Sequence, residues 1–327
     1  PIRITASVVD ATEGTTRAYA DAYNASFPDN TDIDVFLYGY HSSSTTTTIY
    51  DLSKLQSTSG SSHKWIYTTS GEVDEASGRS LLTQTSPAAS EGQAADAVLP
   101  SFPNELNKDE DYVDVFAAFF PQGCSVSPTY DSILPSTGSF TFSVQTDQTT
   151  EANVKASDFL SNDVTATFKT NSSAINLEMK HRMAKVLVVF NPTEDLTSNN
   201  MPGSSDTYSV QNVKKELTVG LNPTSNTTGE SSTTGSTTTI TAKVGEPFFL
   251  PPQTIAKDTQ LLQFSLHDTT GTGTGIQNVT YSTSSDLTLR EGVYYILTLN
   301  IGIRYITLTT TIHDWTDETV NFDKIIL

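Results

Sequence analysis

Five histidines, His41, His63, His181, His267 and His313, are scattered singly along the chain, and two of them precede an acid, in His267-Asp268 and His313-Asp314. Neighbouring residues of a strand point to opposite faces, so neither dipeptide sets a carboxylate on its own imidazole. General acid–base chemistry needs that contact. Both pairs are therefore expected to be exposed strand ends, and no catalytic residue is assigned. The chain has no G-x-S-x-G elbow, no H-E-x-x-H, no Walker loop and no C-x-x-C. Asp109-Glu110-Asp111 with Asp114 would supply the several carboxylate oxygens a Ca²⁺ ion demands, but the spacing fits no EF-hand. Solvated charge ahead of a strand is the expectation there and for Asp29, Asp32 and Asp34. Gly271–Gly275, GTGTG, looks like a phosphate loop but has no helix after it to offer an N-terminus, so it is expected to be a hairpin loop. No metal, no cofactor and no enzymatic activity are expected.

Composition narrows the classes further. A chain of 327 residues has room for about two domains, each large enough to bury a core. Asp and Glu number 37 against 18 Lys and Arg, for a net charge of −19, which disfavours nucleic acid or an anionic membrane as partner. The single cysteine, Cys124, has no intramolecular mate, so the fold must stand on burial and backbone pairing. No run approaches the roughly 18 apolar residues of a membrane helix. The sequence opens at Pro1 with no initiator methionine, charged n-region or apolar h-region. The expectation is that an upstream segment has been removed.

The elements that must carry any function are strands. Short runs rich in Thr, aromatic and aliphatic residues recur between Ser, Thr, Gly, Asn and Pro, as antiparallel sandwiches require. The clearest are Ile2–Val9, Ile33–Tyr40, Tyr112–Phe120, Ser139–Val144, His181–Phe190, Tyr208–Val219, Leu261–His267, Tyr294–Ile303 and Tyr305–Ile312. One turn of helix is expected at Ser157–Asn162, and the Thr/Ser/Gly tracts Ser42–Thr48 and Thr224–Thr239 are expected to be mobile loop tips. The fold class is all-β, with two transthyretin-like, Greek-key β-sandwich domains in tandem. They are expected at 1–172 and 173–327, joined near Asn171–Ser173. In the Tyr294–Ile303 strand, Tyr295, Leu297, Leu299 and Ile301 share the inward face, with Tyr294, Ile296 and Thr298 on the other.

The most informative stretch is Met179–Phe190, MKHRMAKVLVVF, where a basic step runs straight into an apolar β run. His181, Met183, Lys185, Leu187 and Val189 fall on one face and Arg182, Ala184, Val186, Val188 and Phe190 on the other. Its H-x-x-A-K-V pattern resembles the opening of the C-terminal domain in the fimbrillin family of Bacteroidales pilus subunits. Ile2–Val9 followed by Thr15–Ala18, TTRA, looks like that family's first strand and arginine cleavage region. Leu289–Trp315 resembles its closing hairpin.

The resemblance implies a structural subunit of a cell-surface pilus that takes part in adhesion. It implies other pilus subunits as partners, and an outer-membrane arginine-directed protease that cuts between Arg17 and Ala18. Localisation at the outer membrane and fimbrium is implied too, with membrane attachment only through a removed N-terminal lipid anchor. In this scheme the first strand leaves and a strand from another subunit fills its groove. Ile2, Ile4, Ala6 and Val8 alternate with Arg3, Thr5 and Ser7, giving one apolar edge suited to such a groove. Refilling each large slot would regain about 1.5–3 kcal/mol. The polar, glycine-containing connector Asp10–Ala18 holds the only nearby arginine, Arg17. An ordinary first strand of the first domain is the other reading of Ile2–Val9.

The tail Thr319–Leu327 is the candidate donor, through Val320, Phe322, Ile325 and Leu327; its other reading is a closing edge strand of the second domain. The alternative function is an outer-membrane surface glycan-binding lipoprotein, in which Trp65, Tyr67, Tyr294 or Trp315 would stack on sugar rings.

Overall fold

The structure is a computed structural model, and it describes residues 2–8, 32–41, 44–57, 65–67, 97–99, 112–128, 138–162, 167–169, 175–193, 196–221, 229–271 and 275–314. Strand predominates in the described chain, with almost no helix. The first group comprises β1 (Ile2–Val8), β2 (Asp32–His41), β3 (Ser44–Ser57), β4 (Trp65–Tyr67), β5 (Ala97–Leu99) and β6 (Tyr112–Phe119). There follow β7 (Ser125–Ser127), β8 (Ser139–Ser143), β9 (Asp147–Gln148), a short α-helix α1 (Glu151–Lys155), β10 (Leu160–Ser161), β11 (Thr167–Lys169) and β12 (Ile175–His181). Then come β13 (Ala184–Pro192), β14 (Thr207–Gly220), β15 (Ser231–Lys243), β16 (Phe248–Leu250), β17 (Gln253–Ile255) and β18 (Gln260–Phe264). The chain closes with β19 (Val279–Ser282), β20 (Leu287–Leu289), β21 (Val293–Ile301) and β22 (Ile306–Asp314).

These strands form a nine-stranded sheet in the order β4-β3-β2-β6-β10-β12-β1-β5, with β11 on β6. A four-stranded sheet, β16-β13-β21-β22, and a seven-stranded one, β19-β18-β14-β15-β9 with β8 and β7 beyond β14, hold most of the second half. A small β17-β20 pair completes the set. The all-β class is what the sequence predicts. The pairing is not wholly antiparallel, however. β1 runs parallel to β12, β13 to β21, and β9 to β15.

Several local expectations are corrected. The predicted strand His181–Phe190 is broken at Arg182–Met183: β12 ends at His181 in the nine-stranded sheet and β13 starts at Ala184 in the four-stranded one. The change of sheet thus falls beyond the expected joint near residue 172, which itself lies outside the described residues. β7, β8 and β9 already pair with the seven-stranded sheet before β10, β11 and β12 return to the first. The helix is at Glu151–Lys155, capped by Thr150, whose hydroxyl accepts from the Asn153 N–H; Ser157–Asn162, expected to be helical, contains β10 instead. Most of the Thr224–Thr239 tract is strand β15, and the Ser42–Thr48 tract enters β3. Thr is β-branched and fits a pleated surface, so a Thr-rich run pairs wherever a partner strand is offered.

One large core joins the second-half sheets. Tyr295, Leu297, Leu299 and Ile301 of β21 meet Val186 and Val188 of β13 and Tyr208, Val210, Val213, Leu217 and Val219 of β14. Phe116 and Ala118, at the end of β6, belong to the same cluster. The opposite face of the four-stranded sheet carries a smaller cluster of Leu187, Tyr294 and Ile296, with Val189 against it. Lys185 lays its ammonium 4.9 Å from the centre of the Tyr294 ring. The expected alternation therefore holds along β21 and along β13 from Ala184. Met183 lies with the main core, because the break at 182–183 resets the register there. An aromatic group pins the helix segment to this core: Phe159 stacks on Phe142 at 5.0 Å and meets Phe140 edge-on at 5.8 Å.

Candidate assembly site

β1 lies second from one end of the nine-stranded sheet. On one side it runs parallel to β12, with Ile4 opposite Ile175 and Val8 opposite Met179. On the other it is antiparallel to the three-residue strand β5, with Ile2 opposite Leu99 and Ile4 opposite Ala97. Taking β1 away would strip β12 of a neighbour along Ile175–Met179. Each unpaired buried N–H and C=O costs about as much as a lost hydrogen bond, so that edge would call for another strand.

The far side of β12 is held firmly. β10 pairs antiparallel to it at His181 and Lys180, and on its other side pairs with β6 at Phe119 and Ala118. Asn162 extends this tie, accepting the Ala117 N–H on its side-chain oxygen at 2.7 Å and donating its own N–H to the Ala117 carbonyl at 3.1 Å. At the C-terminal end of β12, His181 Nδ1 lies 2.7 Å from Asp158 Oδ1, with both side chains at most 2% exposed. The Arg182 N–H donates to the Phe159 carbonyl at 2.9 Å. Met179, at the position opposite Val8, is fully buried. The C-terminal end of β12 is thus tied to the segment after α1 by buried polar contacts. The sequence places His181 on a strand face; its partner, 23 residues upstream, is not visible there as a pair, because nothing in the sequence shows the segment after α1 meeting the end of β12.

The predicted site residues are distributed as follows. Ile2, Ile4, Ala6 and Val8 lie in β1, whose pairing ends at Val8. Arg17, Ala18 and the connector Asp10–Ala18 lie outside the described residues, as do Trp315 and the tail with Val320, Phe322, Ile325 and Leu327. Trp65 and Tyr67 are in β4. Tyr294, a sugar-stacking candidate by sequence, is only 5% exposed and packs under Lys185, so it offers no face to a sugar.

His267 reaches an acid other than its neighbour in sequence. Its Nε2 lies 2.6 Å from Asp206 Oδ2, while Asp268 Oδ1 accepts from the Thr270 N–H and hydroxyl at 3.0 and 2.6 Å. The glycine-rich run joins the antiparallel pair β18 and β19, as a hairpin connection does, with Leu266 and Gly275–Ile276 exchanging backbone hydrogen bonds. Among the described residues no three of His, Cys, Asp and Glu gather as a metal site, and no helix is long and apolar enough to cross a membrane.

The Asp206–His267 pair has a definite pH signature. Burial pushes the Asp206 carboxyl up, but the His267 hydrogen bond, the Gly203 N–H and the imidazolium charge together hold it below its ordinary value. A depressed carboxyl contributes stability that is full above its unfolded pKa, about 3.9, and is lost as pH falls through its lower folded value. Asp206→Asn is therefore expected to melt below the parent at pH above the unfolded carboxyl value of about 3.9, with the difference closing as pH falls further below it. Melting curves over that range check it; a gap that persists unchanged at the acid end contradicts it.

No curated protein matches the chain in sequence. A solved structure from Bacteroides ovatus, provisionally described as a cell adhesion protein, superposes with a TM-score of 0.54 at 17% identity, over 97% of this chain and 98% of its own. One from Bacteroides uniformis, described in the same words, gives a TM-score of 0.52 at 14% identity, over 96% and 99%. At those identities the likeness is one of fold alone. A fimbrial assembly protein from Parabacteroides distasonis gives a TM-score of 0.47 at 11% identity, over 95% and 98%. The sequence itself carries the family assignment: residues 107–315, well over half of the chain and most of the strands described above, match the family model for fimbrillin-like proteins, and the chain belongs to that family.

Proposed function

We propose that this protein is a structural subunit of a cell-surface pilus, assembled with other subunits by strand exchange at the β1 position and serving adhesion through the fibre. The observation that carries this reading is the setting of β1: a strand second from the end of its sheet, joined by its backbone to β12 and to the short β5, followed in sequence by a polar connector with one arginine. In this account an arginine-directed protease at the outer membrane cuts after Arg17, β1 departs, and a strand from another subunit pairs with β12. The tail Thr319–Leu327 is the proposed donor, and an N-terminal lipid anchor delivers the precursor. The chain is proposed to comprise two β-sandwich domains, the first giving up its strand and the second built around β13, β14 and β21.

Arg17→Ala tests the trigger. Incubated with an arginine-specific protease, the parent protein is expected to lose its first strand and form ladders of SDS-resistant oligomers. The variant should resist cutting there, form no ladder and melt within about 0.5 kcal/mol of the parent, the usual range for substitutions away from packed or paired positions. A variant that polymerises like the parent excludes Arg17 as the trigger.

A further inference from the structure

β1 fixes the direction of any strand that takes its place. It runs parallel to β12, Ile4 to Val8 against Ile175 to Met179, and antiparallel to β5, Ile2 to Ile4 against Leu99 to Ala97. Parallel rungs slant and are evenly spaced, whereas antiparallel rungs are perpendicular and alternate close and wide. Both walls of the slot are therefore arranged for a guest running as β1 runs. A guest of the opposite direction would have to change the rung pattern on the two walls at once.

The chain's own tail starts at the wrong end of this slot. β22 closes at Asp314, opposite Val293 of β21. Beside it, the Gly292 N–H donates to the Met183 carbonyl at 2.9 Å, just past His181, the last residue of β12. That end of β12 faces the second-half sheets: His181 lies in line with Phe119 of β6 through Leu160, and Phe116 and Ala118 of β6 belong to the second-half core. Ile175, at the other end of β12, is further out by about 20 Å at strand spacing. The residues 315–318 that precede Thr319–Leu327 span at most about 14 Å. A longer link would use up Val320 and Phe322. In its own subunit the tail thus meets β12 from the His181 end and runs antiparallel to it.

We propose that the strand accepted beside β12 is the tail of a second copy of this chain, which enters at the Ile175 end and runs parallel to β12, while a chain's own tail is turned away by its direction. The inference rests on strand exchange at the β1 position and adds the partner and its polarity. A donor that enters at the Ile175 end has its second half beyond that end of the acceptor, so each copy hands its tail to the first half of the next. Such a head-to-tail contact extends into a filament where the rotation between copies does not close a ring. A subunit that filled its own slot would end the line at once. The direction of β1 prevents it.

The test is disulfide trapping in the full chain, in a Cys124→Ser background and after arginine-specific cleavage. One batch carries a cysteine on β12, as Asn176→Cys, Glu178→Cys or Lys180→Cys, and the other a cysteine on the tail, as Asn321→Cys or Asp323→Cys, so that only links between copies form in the mixture. Opposed residues of paired strands come within the roughly 4.4–6.8 Å between Cα atoms that a disulfide needs, and those two residues off, at about 7–8 Å, do not. Moving the tail cysteine from 321 to 323 is expected to move the linked β12 position two residues toward His181, with the link lost at the former position. A shift toward Ile175 means an antiparallel guest; it overturns the proposal and leaves strand exchange in place. Chains carrying both Glu178→Cys and one of the tail cysteines are expected to form no internal link, and a linked monomer would place the tail in its own slot and overturn the proposal as well. Where a β12 cysteine prevents folding, seen as a lower melting temperature, the other two positions decide. Absence of any link overturns it too: with SDS-resistant ladders formed as in the parent, the donor is a strand other than this tail, and with no ladders strand exchange itself falls.

Discussion

Asp158→Ala is expected to cost about 1–3 kcal/mol of stability, the range for leaving a buried hydrogen-bonding group without its partner. Asp158 and His181 are each 1% exposed, and their 2.7 Å contact ties the segment after α1 to the last residue of β12. The alanine takes from His181 Nδ1 the carboxylate oxygen that it meets at 2.7 Å in a buried setting. The damage should spread to the nine-stranded sheet, because β10 meets both β12 and β6 next to this contact. Replacing both residues with apolar ones of similar volume is expected to recover much of the loss, since buried pairs are often no better than a packed apolar substitute. Denaturant unfolding of the two single variants and the double variant measures the coupling. A loss under about 1 kcal/mol in Asp158→Ala would show that the contact holds nothing.

Leu299→Ala is expected to cost about 2–5 kcal/mol, from lost burial and the cavity left behind. Leu299 is fully buried in the second half of β21, opposite Phe190 of β13 on one side and Leu308 of β22 on the other. Neighbours fixed in two ladders cannot collapse into the space, which favours the upper part of that range. Thr310→Ala, on the exposed part of β22, serves as control and should change stability by less than about 0.5 kcal/mol. Equal melting of Leu299→Ala and the parent would mean that the register of β21 is wrong.

Strands with strict alternation are legible in the amino-acid sequence alone. β21 shows why: Tyr295, Leu297, Leu299 and Ile301 turn to one core and Tyr294 and Ile296 to another, and a period of two specifies that without knowledge of the partners. What the sequence hides is long-range. His181–Phe190 reads as one apolar run, but the backbone changes sheet at Arg182–Met183, a choice made by β10 and β16 and not by the run itself. The Thr/Ser tract at Ser231–Thr239 looks like a loop by composition and is a strand because β14 lies beside it. Short strands such as Phe248–Leu250 and Leu287–Leu289 are below the length at which alternation can be recognised. Of the assembly site, the sequence shows the apolar alternation of Ile2–Val8, but not that β12 and β5 flank it. The His181–Asp158 lock is illegible for the same reason.

The most direct measurement of strand exchange removes residues 1–17 and then supplies the strand again. The truncated protein is expected to melt below the parent and to self-associate through the open edge of β12, as read by calorimetry and analytical ultracentrifugation. Adding a synthetic Ile2–Val9 peptide should raise the melting temperature toward that of the parent and return the protein to a monomer. A truncated protein that stays monomeric, melts with the parent and takes up neither this peptide nor one spanning Thr319–Leu327 would contradict the account.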